Sequence, residues 1–200
     1  MSKFKGKKTD NAKVDAKVLL RQAVLAEITV DEAAVLDVFC GKGEMYGAVW
    51  HKAKMYTGID KKKYFDSRVL VCGTAEKAIR LVDIKKYNIF DIDAYGSPYE
   101  ILSYVVANVG STQRKLGFVL TDGVQMDMRM GRVCTGIRQL TGIKTKTIKN
   151  VHCMHDELIH RIVENVCFAV GGSLRAFKLA KGVTGSGMRY YSFIIDRDVV

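Results

Sequence analysis

The sequence predicts an α/β fold with a doubly wound, mostly parallel sheet closed by an antiparallel terminal hairpin. Three observations carry this. Five short apolar runs lack polar alternation, as strands covered on both faces do. Segments able to form helices separate them, which is the rhythm of βαβ units. The C-terminal part then changes character, with two longer strand-like runs joined by the glycine-rich KGVTGSG, a hairpin signal.

The elements follow in order. Residues 1–11 read as a flexible basic arm, and residues 12–200 as a single domain. Apolar side chains at Val14, Val18, Leu25 and Ile28, with Leu19 and Val24 beside them, have helical spacing. The strands are AAVLDVF (33–39), MYTGID (55–60), RVLVCG (68–73), YNIFDID (87–93) and LGFVLTDG (116–123). Helical segments are expected over 45–53, 75–83 and 98–109. The methionine-rich VQMDMRMGRVCTG fits neither period. A helix from His155 to Val170 stops at Gly171-Gly172, as helices often do. Runs 173–180 and 188–196 form the hairpin.

Composition narrows the function classes. No run approaches the ~20 apolar residues of a membrane span, and the basic start has no apolar segment behind it, which argues against a secretory signal. Five cysteines without a C-x-x-C pair fit reduced thiols in a cytoplasmic protein better than a disulfide framework or a zinc site. The net charge is +11. Residues 1–21 hold seven basic and two acidic side chains, and Lys144, Lys146 and Lys149 form a second cluster. A polyanion partner such as nucleic acid and a plain solubilising surface are both consistent with this pattern.

The first strand ends VLDVFCGKGEMYG. Gly41 and Gly43 let backbone approach a ligand where the strand turns into a helix. The position three after Gly43 is Tyr46, so the nicotinamide fingerprint G-x-G-x-x-G is not met. The pattern D-x-F-x-G-x-G resembles the S-adenosylmethionine (SAM) motif of class I methyltransferases, whose element order matches the plan above. That resemblance implies that Asp37 helps hold the methionine end, that Phe39 lies beside the cofactor and that the Gly41–Gly43 backbone packs on it. Asp60, closing the second strand, can accept from a ribose diol or cap a helix. Thr74 is a helix cap or an adenine contact.

The fourth strand breaks into DIDAYGSP, which contains the only proline, Pro98. This resembles the D-x-D-P-F-G-S-P of the tRNA (guanine-26-N2) dimethyltransferases. Asp91 and Asp93 stand as the two acids, Tyr95 replaces the Phe, and Gly96-Ser97-Pro98 are retained. Ala94 departs from the family's proline and loosens the turn. CMHDELIHRIVENV (153–166) echoes a later helix of that family, with Arg161 and Ile162 matching. The family carries an additional C-terminal domain for gripping tRNA, whereas this chain ends with the hairpin. The resemblance therefore bears on the chemistry more than on the substrate. It implies that Asp93, supported by Asp91, accepts from an exocyclic amine and orients its lone pair, while Tyr95 stacks the base.

Other candidates carry less. His152, Cys153, His155 and His160 lack zinc-ligand spacing, and no metal is expected; helix-start hydrogen bonding and surface positions account for the histidines. Met126, Met128 and Met130 suit an adaptable pocket wall or a core. Arg129, Arg132, Arg189, Tyr190 and Tyr191 suit phosphate contacts or a solvated face. No G-x-S-x-G surrounds Ser97, which argues against a hydrolase.

The expectation is a cytoplasmic SAM-dependent N-methyltransferase of nucleic acid, RNA before DNA and guanine N2 of tRNA in particular, with a partner protein for RNA binding left open. The alternatives are an adenine or cytosine amino methyltransferase of DNA, and a non-catalytic nucleic-acid-binding module that kept the fold.

Overall fold

The computed structural model describes residues 14–182 and 187–198. The expected basic arm, residues 1–11, lies outside them, as does the centre of the hairpin loop. The chain runs α1 (Val14–Ile28), β1 (Ala34–Val38), α2 (Glu44–Ala48), β2 (Met55–Asp60), β3 (Leu70–Cys72), α3 (Ala75–Ala78), β4 (Ile89–Asp93), α4 (Tyr99–Asn108) and β5 (Lys115–Asp122). It continues with α5 (Gln125–Arg129), α6 (Thr135–Thr141), α7 (His155–Ala169), β6 (Gly172–Lys181) and β7 (Arg189–Arg197). One seven-stranded sheet has the order β3-β2-β1-β4-β5-β7-β6. The first five strands are parallel; β7 runs antiparallel to β5, and β6 antiparallel to β7. The expected fold class is the observed one.

The order reverses between β1 and β4, so a crevice opens at the carboxyl ends of these strands. Strand parity then decides what faces each side. Val35, Ile89 and Val119 pack with Val24 and Ile28 of α1 on one face. Leu36, Phe90, Phe118 and Leu120 pack with α4 and α7 on the other. Because successive strand residues alternate, Asp37, Asp91 and Asp93 share the α1 face with Val35 and Ile89. Gly117 is a glycine because α1 presses on β5 there: a Cβ would stand 2.4 Å from Val24 Cγ1.

Two expected helices are shorter than their segments. Helix α2 stops at Ala48 and gives way to a 3-10 turn at Trp50–Lys52, consistent with Gly47 inside it and the β-branched Val49 in a non-helical conformation at its end. Helix α3 continues as a 3-10 turn, Ile79–Leu81. The methionine-rich stretch resolves into α5, a bridge between Arg132 and Thr147, and α6.

Phe118 stacks between Phe90, with ring centroids 5.4 Å apart, and Phe193, at 4.7 Å. Replacing Phe118 by Ala removes this aromatic column from the sheet centre and is expected to cost about 3–5 kcal/mol. The denaturation midpoint measures it; a loss below ~1 kcal/mol would contradict the packing described.

Candidate active site

Lys17 and Arg21 lie four residues apart on α1, one face of a helix with ~6 Å between them. Asp91 and Asp93 lie two apart on β4, one face of a strand with ~6.6 Å between them. The two spacings match, and the pairs meet. Arg21 grips Asp91 with two bonds, Nε to Oδ2 at 2.6 Å and Nη2 to Oδ1 at 2.7 Å. Trp50 Nε1 donates to the same Oδ2 at 2.7 Å. Arg21 is 1% exposed and Asp91 0%. Lys17 Nζ donates to both oxygens of Asp93, at 2.7 and 2.9 Å.

These contacts divide the two aspartates. Asp91 does not reach the cleft; it is a buried counter-ion. Asp93 stands in the cleft wall, still 19% exposed. Burial works against its charge, but Arg21 and Lys17 together outweigh it and hold the carboxyl below the ordinary aspartate range. Asp37, opposite Asp91 in the β1–β4 register, also lies beneath the cleft and accepts from the Tyr56 hydroxyl at 2.8 Å. Burial, reinforced by the neighbouring Asp91 charge, pushes Asp37 well up.

A cleft of about 540 Å³ lies above this layer, lined among others by Lys17, Phe39, Gly41, Asp93, Tyr95 and Met188. Of the predicted residues it therefore gathers Phe39, Gly41, Asp93 and Tyr95. Phe39 has φ 70°, an uncommon left-handed conformation for a bulky residue. Gly41 at φ 51° and Gly43 at φ 85° complete the turn. Cys40 is also in the lining, but burial and then the charge of Asp37 push its thiol up to about 12, so it is a poor nucleophile.

Asp60 lines an adjoining hollow of about 230 Å³ with Lys62, Lys63, Arg68 and Cys72, and Tyr64 is common to both spaces. Its Oδ2 accepts from Gly41 N at 3.0 Å and its Oδ1 from Lys62 N at 2.8 Å, which ties the glycine turn to the end of β2. Each oxygen keeps a further lone pair. Arg68, which the sequence reading missed, clasps the turn. Its guanidinium donates to the carbonyls of Cys40 and Gly41 and to Asp66. A Cβ on Gly43 would fall 2.8 Å from its Cζ, so Gly43 is needed for Arg68 as well as for the turn. Thr74 is exposed, lines neither space and caps α3 only through its backbone.

The far wall is fixed by a second buried set. Asp122 accepts from the Tyr99 hydroxyl and, through Oδ1, from Val124 N at 2.9 Å. His155 Nε2 lies 2.7 Å from Asp122, and its Nδ1 lies 2.7 Å from Gln125 Oε1. His155, the first residue of α7, is therefore buried and hydrogen-bonded through both ring nitrogens. Tyr190 and Tyr191 are likewise buried and cannot meet phosphate, and Arg189 is paired with Asp156. Met128 is core, whereas Met126 and Met130 are exposed. Among the described residues no three His, Cys, Asp or Glu side chains are grouped to hold a metal ion, and no helix is long and apolar enough to cross a membrane.

No protein-family model and no curated protein matches the sequence. Solved structures do match by shape. The TYW2 protein of M. jannaschii, in complex with AdoMet, superposes with a TM-score of 0.55 over 96% of this chain and 80% of its own, at 10% identity. The N-methyltransferase NodS of Bradyrhizobium japonicum, in complex with S-adenosyl-L-homocysteine, gives 0.54 over 94% and 89%, also at 10%. The chain has the class I methyltransferase fold. A candidate hemolysin from Lactococcus lactis gives 0.58 over 90% and 86%, at 15% identity.

Two outcomes follow from the charge layer. Arg21→Ala leaves Asp91 buried without its cation and is expected to cost about 3–5 kcal/mol, read from the denaturation midpoint. The carboxyl of Asp93 titrates lower folded than the ~3.9 of a free aspartate, so its contribution is present above that value and lost as pH falls through the folded one. Lys17→Met should flatten this acid limb of the stability–pH curve; an unchanged limb would mean the ion pair does not hold the carboxyl down.

Proposed function

We propose that this protein is a SAM-dependent N-methyltransferase acting on an exocyclic base amine of RNA, with guanine N2 of tRNA as the preferred acceptor. One observation carries the reading: an ionised acid and an exposed aromatic, Asp93 and Tyr95, share a single cleft with Phe39 and the Gly41 turn. The cofactor's donors and the acceptor's partners would thus stand at the ends of adjacent strands.

The residues present fit SAM. The cleft lies in the usual volume range for cofactor sites, ~300–1,000 Å³, and the turn brings backbone to its edge. Phe39 and the turn would flank the methionine end, and Asp60 would accept from the ribose hydroxyls in the adjoining hollow. Thr74 has no part in this arrangement. The AdoMet and S-adenosyl-L-homocysteine complexes of the structural neighbours support the same cofactor. Bound there, it would supply a methyl group on a sulfonium sulfur.

The chain's own work is positioning. Lys17 and Arg21 keep Asp93 ionised, so it offers acceptor lone pairs to an N–H of the amine and can take up the proton that nitrogen releases on methylation. An amine conjugated with a base ring is a weak nucleophile, so holding its lone pair in line contributes the larger part, with ~7–11 kcal/mol as the upper range for well-oriented reactants. Tyr95 is 62% exposed and would stack on the base. Asp37 and Asp91 act through others: Asp91 locks Arg21 in place, and Asp37 braces β1 through Tyr56. The choice of guanine N2 rests on the likeness of DIDAYGSP to the guanine-26 enzymes.

The test uses methyl-labelled SAM with unmodified tRNA transcripts, rRNA and duplex DNA. Label recovered as N2-methylated guanosine is the expected result; label in DNA alone would overturn the substrate. Asp93→Ala should lower transfer about 10²–10³-fold, as removal of one electrostatic partner of a reacting group does, and leave SAM affinity unchanged. Asp60→Ala should weaken SAM binding about 10- to 100-fold, the loss of a charged hydrogen bond. Wild-type affinity in that variant would displace the cofactor from the adjoining hollow.

A further inference from the structure

We propose that the excursion between β5 and α7 is the surface that grips the RNA phosphate backbone; this rests on the RNA reading above. Residues 123–154 hold six basic side chains and one acid, Asp127, in a chain of net charge +11. The excursion is rooted at the cleft. Gly123 lines it, Gln125 packs against Gly187 beside the lining residue Met188, and His155 returns the chain to Asp122 at the end of β5.

The excursion is also built to hold a shape. Val133 N donates to Lys146 O at 2.9 Å and Ile148 N to Gly131 O at 2.8 Å, around the Arg132–Thr147 bridge. Two distant stretches are thereby joined into one ridge, with Lys144, Lys146 and Lys149 exposed along one of them. Among the described residues no ion pair takes up these three lysines, and the single acid of the excursion is taken by Arg132 at 3.1 Å. The same excursion carries exposed thioethers, Met126 at 61% and Met130 at 57%, and Arg132 Nη2 lies 2.8 Å from Met130 Sδ. Exposed cations on a hydrogen-bonded ridge, with deformable apolar groups in the same excursion, suit a polyanion whose bases splay towards the cleft, because phosphate contacts set register while apolar contacts tolerate varied bases. An acidic protein would satisfy the charges but would have no use for a base-sized cleft at the root of the excursion, where Gly123 lines it.

The experiment is fluorescence anisotropy of the full chain with a labelled, unmodified tRNA transcript across a salt series. The quadruple variant Arg129→Gln, Lys144→Gln, Lys146→Gln and Lys149→Gln should bind about a hundredfold more weakly near 0.1 M salt, with a log–log salt slope shallower by about three. The arginine-for-lysine variant at 144, 146 and 149 should bind as wild type. SAM affinity unchanged in the quadruple variant would show an intact fold and cleft. An unchanged dissociation constant and slope, with methyl transfer to RNA intact, would overturn the ridge and leave the function standing. Equal or tighter binding of duplex DNA of matched length would assign the surface to DNA and overturn it for RNA. A wild-type chain that binds SAM but neither binds nor labels RNA would instead overturn the function on which the inference rests.

Discussion

The match between a helix step of four and a strand step of two is the constraint from which the cleft follows. It lets one face of α1 neutralise one face of β4, cation against carboxylate, twice. Buried pairs of this kind add little net stability, yet losing one member is costly. Their value here is geometric. Asp91, fixed by Arg21 and Trp50, sets how α1 and the 3-10 turn after α2 sit on the sheet. The next acid along the strand then emerges at the cleft wall already paired, charged and oriented. With the helix above it in view, the strand wastes neither carboxylate.

The cofactor side is organised by a different device. The glycine turn is held from two directions, by the Asp60 carboxylate accepting from the Gly41 amide and by the Arg68 guanidinium donating to the Cys40 and Gly41 carbonyls. A turn of this kind has little side chain of its own to pack, so its rigidity comes from neighbours. Strain at Phe39 is tolerated because Phe39 N and Cys40 N both donate to the Ile59 carbonyl on β2.

Most of the fold was legible because it is written in local pattern. Unalternating apolar runs marked all five parallel strands, and the glycine-rich turn marked the hairpin. The cleft members Phe39, Gly41, Asp93 and Tyr95 were legible because strand ends and glycine turns place residues predictably. What stayed hidden was non-local. Lys17 and Arg21, set between the apolar positions of α1, were given no role, since nothing nearby in sequence shows that their partners lie on β4. The Tyr190–Tyr191 pair looked superficial for the same reason, and the partners of His155, Asp122 and Gln125, lie as far away in the chain. Helices α2 and α3 were overdrawn because apolar content persisted after helical geometry had given way to 3-10 turns.

The pairing of α1 with β4 also bears on the order in which the chain can fold. Arg21 and Asp91 are 70 residues apart, and Lys17 and Asp93 are 76 apart. Between them lie β1, β2 and β3, which must be laid down before β4 can join β1. Contacts of such long range pay their loop-closure entropy before they return any energy. During synthesis, α1 leaves the ribosome before β4 and waits with its cations in water until that strand arrives. The acid wall of the cleft thus cannot form before β4 joins β1, and a chain stalled before residue 93 lacks the acid that faces the glycine turn.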